Sequence, residues 1–111
     1  MFMSNIKEID APELAQWVSE TDQNVRVIDV RQMNEIAAGT VPRAEAVPLH
    51  TLPIKVNELN REEKLVFICR SGARSAQACM FLQQHGFENV FNLRGGMIGW
   101  VQNGFAPVAL A

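Results

Sequence analysis

The chain has 111 residues, 48% of them hydrophobic, and a net charge of −2 with acids and bases interspersed. That is the length of one domain with a core of ordinary size, too apolar for disorder and without the basic surface that nucleic acid or an anionic membrane would attract. Residues 1–5 carry no basic segment ahead of an apolar run, no stretch approaches the roughly 20 apolar residues of a membrane span, and two cysteines make no disulfide framework, so a reduced, cytoplasmic protein is expected.

In chain order, Ile6-Lys7-Glu8-Ile9 reads as a short strand. Asp10 then suits an N-cap, with Pro12 in the first turn and Glu13 at the capping-box position. Leu14, Trp17 and Val18 recur at helical spacing and should face the core. Val25-Arg26-Val27-Ile28-Asp29-Val30 is the second strand, β-branched and mostly apolar. Asp29 and Arg31 fall at its C-terminal end. Asp29 reads as a supporting group, an ionic strut for Arg74 or for loop amides, in preference to a catalytic one. Arg31 and Glu35, four apart, could pair on a helix face. Residues 32–38 predict a short helix stopped by Gly39. Thr40-Val41-Pro42-Arg43-Ala44 is a loop, Ala46-Val47 a third strand, and residues 53–59 a further short helix carrying Ile54, Val56 and Leu59. His50 lies in a connection and is given no role.

Leu65-Val66-Phe67-Ile68 is an unbroken apolar run, as in a strand buried on both faces of a parallel sheet. A helix follows from Ala76 to His85, with Gly86 as its stop. Between them, Cys69-Arg70-Ser71-Gly72-Ala73-Arg74-Ser75 is a turn from a strand's C-terminal end to a helix N-terminus, the edge at which open α/β sheets place ligands. Free N–H groups and the helix dipole make such a turn an anion nest. A thiol held there ionises readily, and thiolate is the nucleophilic form. Gly72 allows backbone angles that a side chain blocks, and Ser71 and Ala73 are too small to fill the mouth. Cys69 is therefore read as an activated nucleophile in preference to a buried, inert strand-end cysteine, with the amides of residues 70–75 as its cradle. Arg70 is the expected substrate-facing cation and Arg74 the loop brace, paired with Asp29.

Val90-Phe91-Asn92-Leu93 is the fifth strand. Arg94-Gly95-Gly96 is a tight turn, and a last helix carrying Trp100 as a core anchor ends near Gly104. The glycines of this turn do not have dinucleotide-loop spacing. Strands alternating with helices predict a three-layer α/β domain.

Three stretches resemble the single-domain rhodanese-like sulfurtransferases: Ile28-Asp29-Val30-Arg31 followed by Glu35 and Gly39; Cys69 to Ser75; and Asn92-Leu93-Arg94-Gly95-Gly96 with Trp100. The resemblance spans nearly the whole chain. It implies one rhodanese-like domain over residues 1–111, an α/β/α fold with a five-stranded, mostly parallel sheet, and a Cys69 that cycles through a persulfide. Two positions depart from the family's usual His-Ile-Pro-Gly-Ala segment: Thr40 stands for the histidine and Arg43 for the glycine. Both bear on substrate preference. Arg43 either adds a positive charge near the mouth or points into water.

The implied reaction is covalent catalysis in two halves. Cys69 takes a sulfane sulfur from a donor such as thiosulfate or a persulfidated protein, then yields it to a thiophilic acceptor, cyanide or a thiol. The expected partners are these small molecules, with a donor or acceptor protein also possible, and neither nucleic acid nor membrane. Phosphoryl transfer is the rival within this sheet type, but cysteine phosphatases wrap a loop one residue longer than the four residues between Cys69 and Arg74. A non-turnover persulfide carrier or redox-sensing module is the rival of another class and would use the same loop. Cys79 lies within the helix and reads as a small buried hydrophobe rather than a resolving thiol. No cofactor is implied, and no cysteine or histidine spacing matches a zinc pattern.

Overall fold

A computed structural model describes residues 6–20 and 24–110. The N-terminal stretch read for a leader lies outside them. The elements are β1 (Lys7–Ile9), α1 (Ala11–Ser19), β2 (Val25–Asp29), α2 (Met33–Ala37), β3 (Ala44–Ala46), α3 (Leu52–Lys55), β4 (Lys64–Ile68), α4 (Ala73–Gln84), β5 (Val90–Leu93) and α5 (Gly96–Gln102).

The five strands form one sheet in the order β1-β5-β4-β2-β3. All four strand pairings are parallel rather than mostly so. β4 occupies the centre, where its apolar run is covered on both faces. Its alternate residues feed two cores. Leu65, Phe67 and Cys69 pack with Leu52 of α3 and with Ala78, Cys79 and Leu82 of α4. Val66 and Ile68 pack with Leu14 of α1 and with Met97 and Trp100 of α5. The chain leaves β2 toward β3 on one side and β4 toward β5 on the other. The C-terminal ends of β2 and β4 thus form the crevice of a topological switch point, with Asp29 opposite Ile68 in register.

Asp10 caps α1 as expected, its carboxylate accepting from the Glu13 amide at 2.9 Å. Trp17 is half-buried and meets Phe91 edge-to-face at 5.3 Å, while Trp100 is buried. Residues 53–59 differ from expectation. The α-helical part is only Leu52–Lys55, flanked by 3-10 turns, and Ile54 is 77% exposed. Leu52, Val56 and Leu59 make the core contacts of this segment, and of its apolar residues Ile54 faces away from them.

A C-terminal strap closes the molecule. Thr40 and Val108 exchange two backbone hydrogen bonds, 2.9 and 2.8 Å. The Trp100 indole N–H donates to the Ala106 carbonyl at 3.3 Å, and its ring lies 4.8 Å from that of Phe105.

Candidate active site

The loop after β4 turns on Gly72, which precedes α4 at φ +109, a left-handed backbone that glycine adopts without strain. This turn aims the Gly72 amide at Cys69 Sγ, 3.0 Å away. The Ser75 hydroxyl lies 3.3 Å from the same sulfur. Burial pushes the Cys69 thiol up, but the Ser75 hydroxyl and the amides of Ser75, Gly72 and Ser71 together outweigh it, and the thiol's pKa is lowered. The α4 N-terminus adds its dipole at the same point. Cys69 is 1% exposed, so the sulfur sits at the floor of the cradle rather than on its lip. Cys79 contrasts with it. Buried without such donors, and with the Glu8 carboxylate contributing, its thiol is pushed up to about 12. Both cysteines are unpaired thiols.

The cradle is fastened from below by β5 and α5. The Met97 amide donates to the Cys69 carbonyl at 2.9 Å and the Ile98 amide to the Arg70 carbonyl at 3.1 Å. Gly96 is required for that approach, because a Cβ there would lie 2.5 Å from the carbonyl oxygens of both Cys69 and Arg70. Asn92, buried in β5, ties the loop a second time. Its Nδ2 donates to the Gly72 carbonyl at 3.2 Å, and its Oδ1 accepts from the Ser75 hydroxyl. The hydroxyl has a single hydrogen, so Asn92 Oδ1 and the Cys69 sulfur compete for it.

The charged residues are paired otherwise than their spacing suggested. Asp29, fully buried, accepts from the Arg31 guanidinium at 2.8 to 3.2 Å, from the Arg31 amide at 3.1 Å and from the Thr40 hydroxyl at 2.7 Å. Arg31 also donates to the Gly39 carbonyl at 2.7 Å. Arg74 forms a bidentate pair with Glu35, at 2.8 and 3.0 Å. The expected Arg74–Asp29 and Arg31–Glu35 pairs are therefore exchanged. Arg31 precedes α2, so it shares no helix face with Glu35; it folds back on the strand end instead. Glu35 accepts from the Gln32 amide and from Arg74, which together hold its carboxyl at about 2.

Arg70 is exposed, and its side chain has no hydrogen-bond or ion-pair partner among the described residues. Ser71 and Ala73 are exposed beside it. Arg43 does not line the mouth; it is exposed, away from the loop. At φ +70 it turns to the opposite, N-terminal edge of the sheet, donating to the Val18 and Val25 carbonyls, both at 3.3 Å. Thr40 is brought into the buried Asp29 network.

Asn92, Glu35 and Thr40 were not assigned these contacts from sequence. Asn92 carried a signal, as a polar residue in an otherwise apolar strand. Glu35 carried another, three residues after the Gln32 cap of α2.

The assembled site is one ionisable sulfur under converging amides, braced by ion pairs and open toward one free cation. It occurs in a chain with relatives of the same kind. The rhodanese-like domain profile matches residues 10–103. A sulfurtransferase of Allochromatium vinosum is 43% identical over 104 residues, 94% of this chain and 96% of that protein. A putative sulfur carrier protein of Bacillus subtilis is 33% identical over 97 residues, 87% of this chain and 52% of its own length. The solved structure of a rhodanese-related protein from Thermoplasma volcanium superposes with a TM-score of 0.82 at 31% identity, covering 92% of this chain and 97% of the other. Matched in sequence and architecture over nearly its whole length, the chain belongs to the rhodanese-like domain family.

Proposed function

We infer that the chain transfers a sulfane sulfur from a donor of the thiosulfate type to a thiophilic acceptor through a persulfide on Cys69. The observation that carries this reading is the Gly72 amide 3.0 Å from Sγ, joined by the Ser75 hydroxyl, at a thiol whose pKa is lowered. Cys69 thiolate attacks the outer sulfur of thiosulfate. The sulfur–sulfur bond of the donor breaks, sulfite leaves with its electron pair, and Cys69 carries the anionic outer sulfur. Cyanide or a thiolate then attacks that sulfur, and the thiolate of Cys69 returns. Negative charge stays at one place throughout, where fixed donors stabilise it without reorganising. Arg70 is the cation placed to meet the donor's oxyanion, since its planar fork suits such a group. Arg74 braces the loop through Glu35, and Asp29 with Arg31 supports the neighbouring strand end.

The test is thiocyanate release from thiosulfate and cyanide. The wild-type protein should turn over and gain one sulfur by mass on Cys69, and Cys69→Ala should do neither. A second reading, a carrier that loads sulfur and yields it only to a docked protein, is favoured by the 1% exposure of Cys69. Loading without thiocyanate release would select it. Absence of loading would reject both.

A further inference from the structure

The Ser75 hydroxyl joins Cys69 to Asn92, and serine and asparagine are both buried, 0% and 3% exposed. The Asn92 side-chain amide faces two groups that only accept, the Gly72 carbonyl at 3.2 Å and the Glu8 carboxylate at 3.4 Å. Nδ2 must therefore point at them, which turns Oδ1 toward Ser75. Oδ1 cannot donate, so the Ser75 hydroxyl supplies the hydrogen of their bond. The same hydroxyl lies 3.3 Å from Cys69 Sγ. Asn92 Oδ1 has no second donor among the described residues.

The direction of that one hydrogen follows the charge on Sγ. At a neutral thiol, S–H donates to Ser75 Oγ while the hydroxyl donates to Asn92, and every group is paired. At a thiolate, the sulfur draws the hydroxyl hydrogen into a charge-assisted bond, and Oδ1 is left buried without a donor. The amides around the sulfur are fixed in the backbone and do not turn. When an outer sulfur is added, the negative charge moves onto it, and Sγ becomes a neutral, weak acceptor. The hydroxyl then returns to Asn92.

Resting on the sulfur-transfer reading above, we propose that Asn92 is a positioning residue that draws the Ser75 hydroxyl away from Cys69 Sγ once sulfur is loaded, and so weights the cycle toward the persulfide over the free thiolate. In the loading step Cys69 thiolate bonds the outer sulfur of thiosulfate. The donor's sulfur–sulfur bond breaks, and its electron pair leaves with sulfite. Three negative charges stand on each side of the step. The Ser75 hydrogen stays on its own oxygen throughout and changes only its direction. The charged groups on the surrounding elements are Glu8 of β1, paired with Arg94, Arg74 of α4, paired with Glu35, and Asp29 of β2, paired with Arg31. Arg70 adjoins Cys69 in the loop. The substitutions that test the proposal replace none of them.

In the wild-type protein, the carbon NMR resonance of the Asn92 side-chain carbonyl should move as Cys69 ionises and return toward its thiol position once the persulfide forms. In Ser75→Ala it should not respond. Asn92→Ala should lower the pH at which iodoacetamide begins to alkylate Cys69, because the hydroxyl is then free for the sulfur. It should also cut the ratio of persulfide to thiolate about fivefold at fixed thiosulfate and sulfite, the worth of one net hydrogen bond. Both effects should vanish when Ser75→Ala is added. An Asn92 that only held the Gly72 carbonyl would loosen the loop on removal and raise that pH, so a raised or unmoved profile would overturn the proposal. A lowering that persists without the Ser75 hydroxyl would overturn it as well. An Asn92 resonance indifferent to Cys69 ionisation does the same, and that measurement needs no variant to fold. Failure of the wild-type protein to take sulfur from thiosulfate would instead overturn the sulfur-transfer reading itself.

Discussion

Cys69 and Cys79 are ten positions apart in one chain, and their thiols are driven in opposite directions. Both are buried, and burial alone disfavours a thiolate. The difference is donors: Cys69 has the Gly72 amide and the Ser75 hydroxyl within hydrogen-bond reach, and Cys79 is pushed up to about 12 by its apolar surroundings. A hydrogen bond to a charged group is worth about 1.5–3 kcal/mol. Ser75→Ala should therefore raise the apparent pKa of Cys69, read from the pH profile of alkylation by iodoacetamide. A profile that did not move would assign the acidity to the backbone amides alone. Cys69 was legible as the nucleophile from its own neighbours, because a strand-turn-helix cysteine followed by glycine and two arginines is a local pattern. Asn92 was not, since its contact with Ser75 spans 17 positions and depends on β5 lying beside β4.

At the scale of elements, the ion pairs show where reading by spacing fails. An i,i+4 rule applied to Arg31 and Glu35 assumes one helix, but α2 begins at Met33 and leaves Arg31 outside it. Freed from that face, Arg31 folds onto Asp29, and Glu35 reaches across to Arg74 on α4. The brace between α2 and α4 is then titratable. Because Glu35 is held at about 2 when folded, below its ordinary value of about 4.3, its contribution is complete above that ordinary value and is lost as pH falls toward 2. Urea denaturation followed between about pH 5 and about pH 2 should show the wild-type protein losing more stability than Glu35→Gln. Equal losses would mean that the Arg74 pair contributes nothing to the fold. The α/β layering was legible because β4 is apolar throughout and strands alternate with helices along the chain, whereas the strand order was not read from the sequence. The short helix over residues 53–59 was legible too, but its start at Leu52, its 3-10 end and the exposure of Ile54 were not.

For the whole molecule, the switch-point crevice collects groups from every part of the chain: Asp29 from β2, Cys69 after β4, Asn92 from β5 and the amides of α5. The C-terminal strap is the least embedded of these supports, yet it reaches Thr40, whose hydroxyl bonds Asp29. Ending the chain after Gly104 would remove the Thr40–Val108 pair and the Phe105 contact with Trp100. The expected cost is roughly 2 kcal/mol, or near 10 °C in Tm for a domain of this size. An unchanged melting temperature would show that the strap only rests on the body.

The carbonyls of Cys69 and Arg70 are held by amides of Met97 and Ile98, which are made almost thirty residues later on the ribosome. Until that last helix emerges and docks, the two carbonyls that open the loop lack the amides that hold them. The finished cradle therefore exists only once synthesis has passed Ile98.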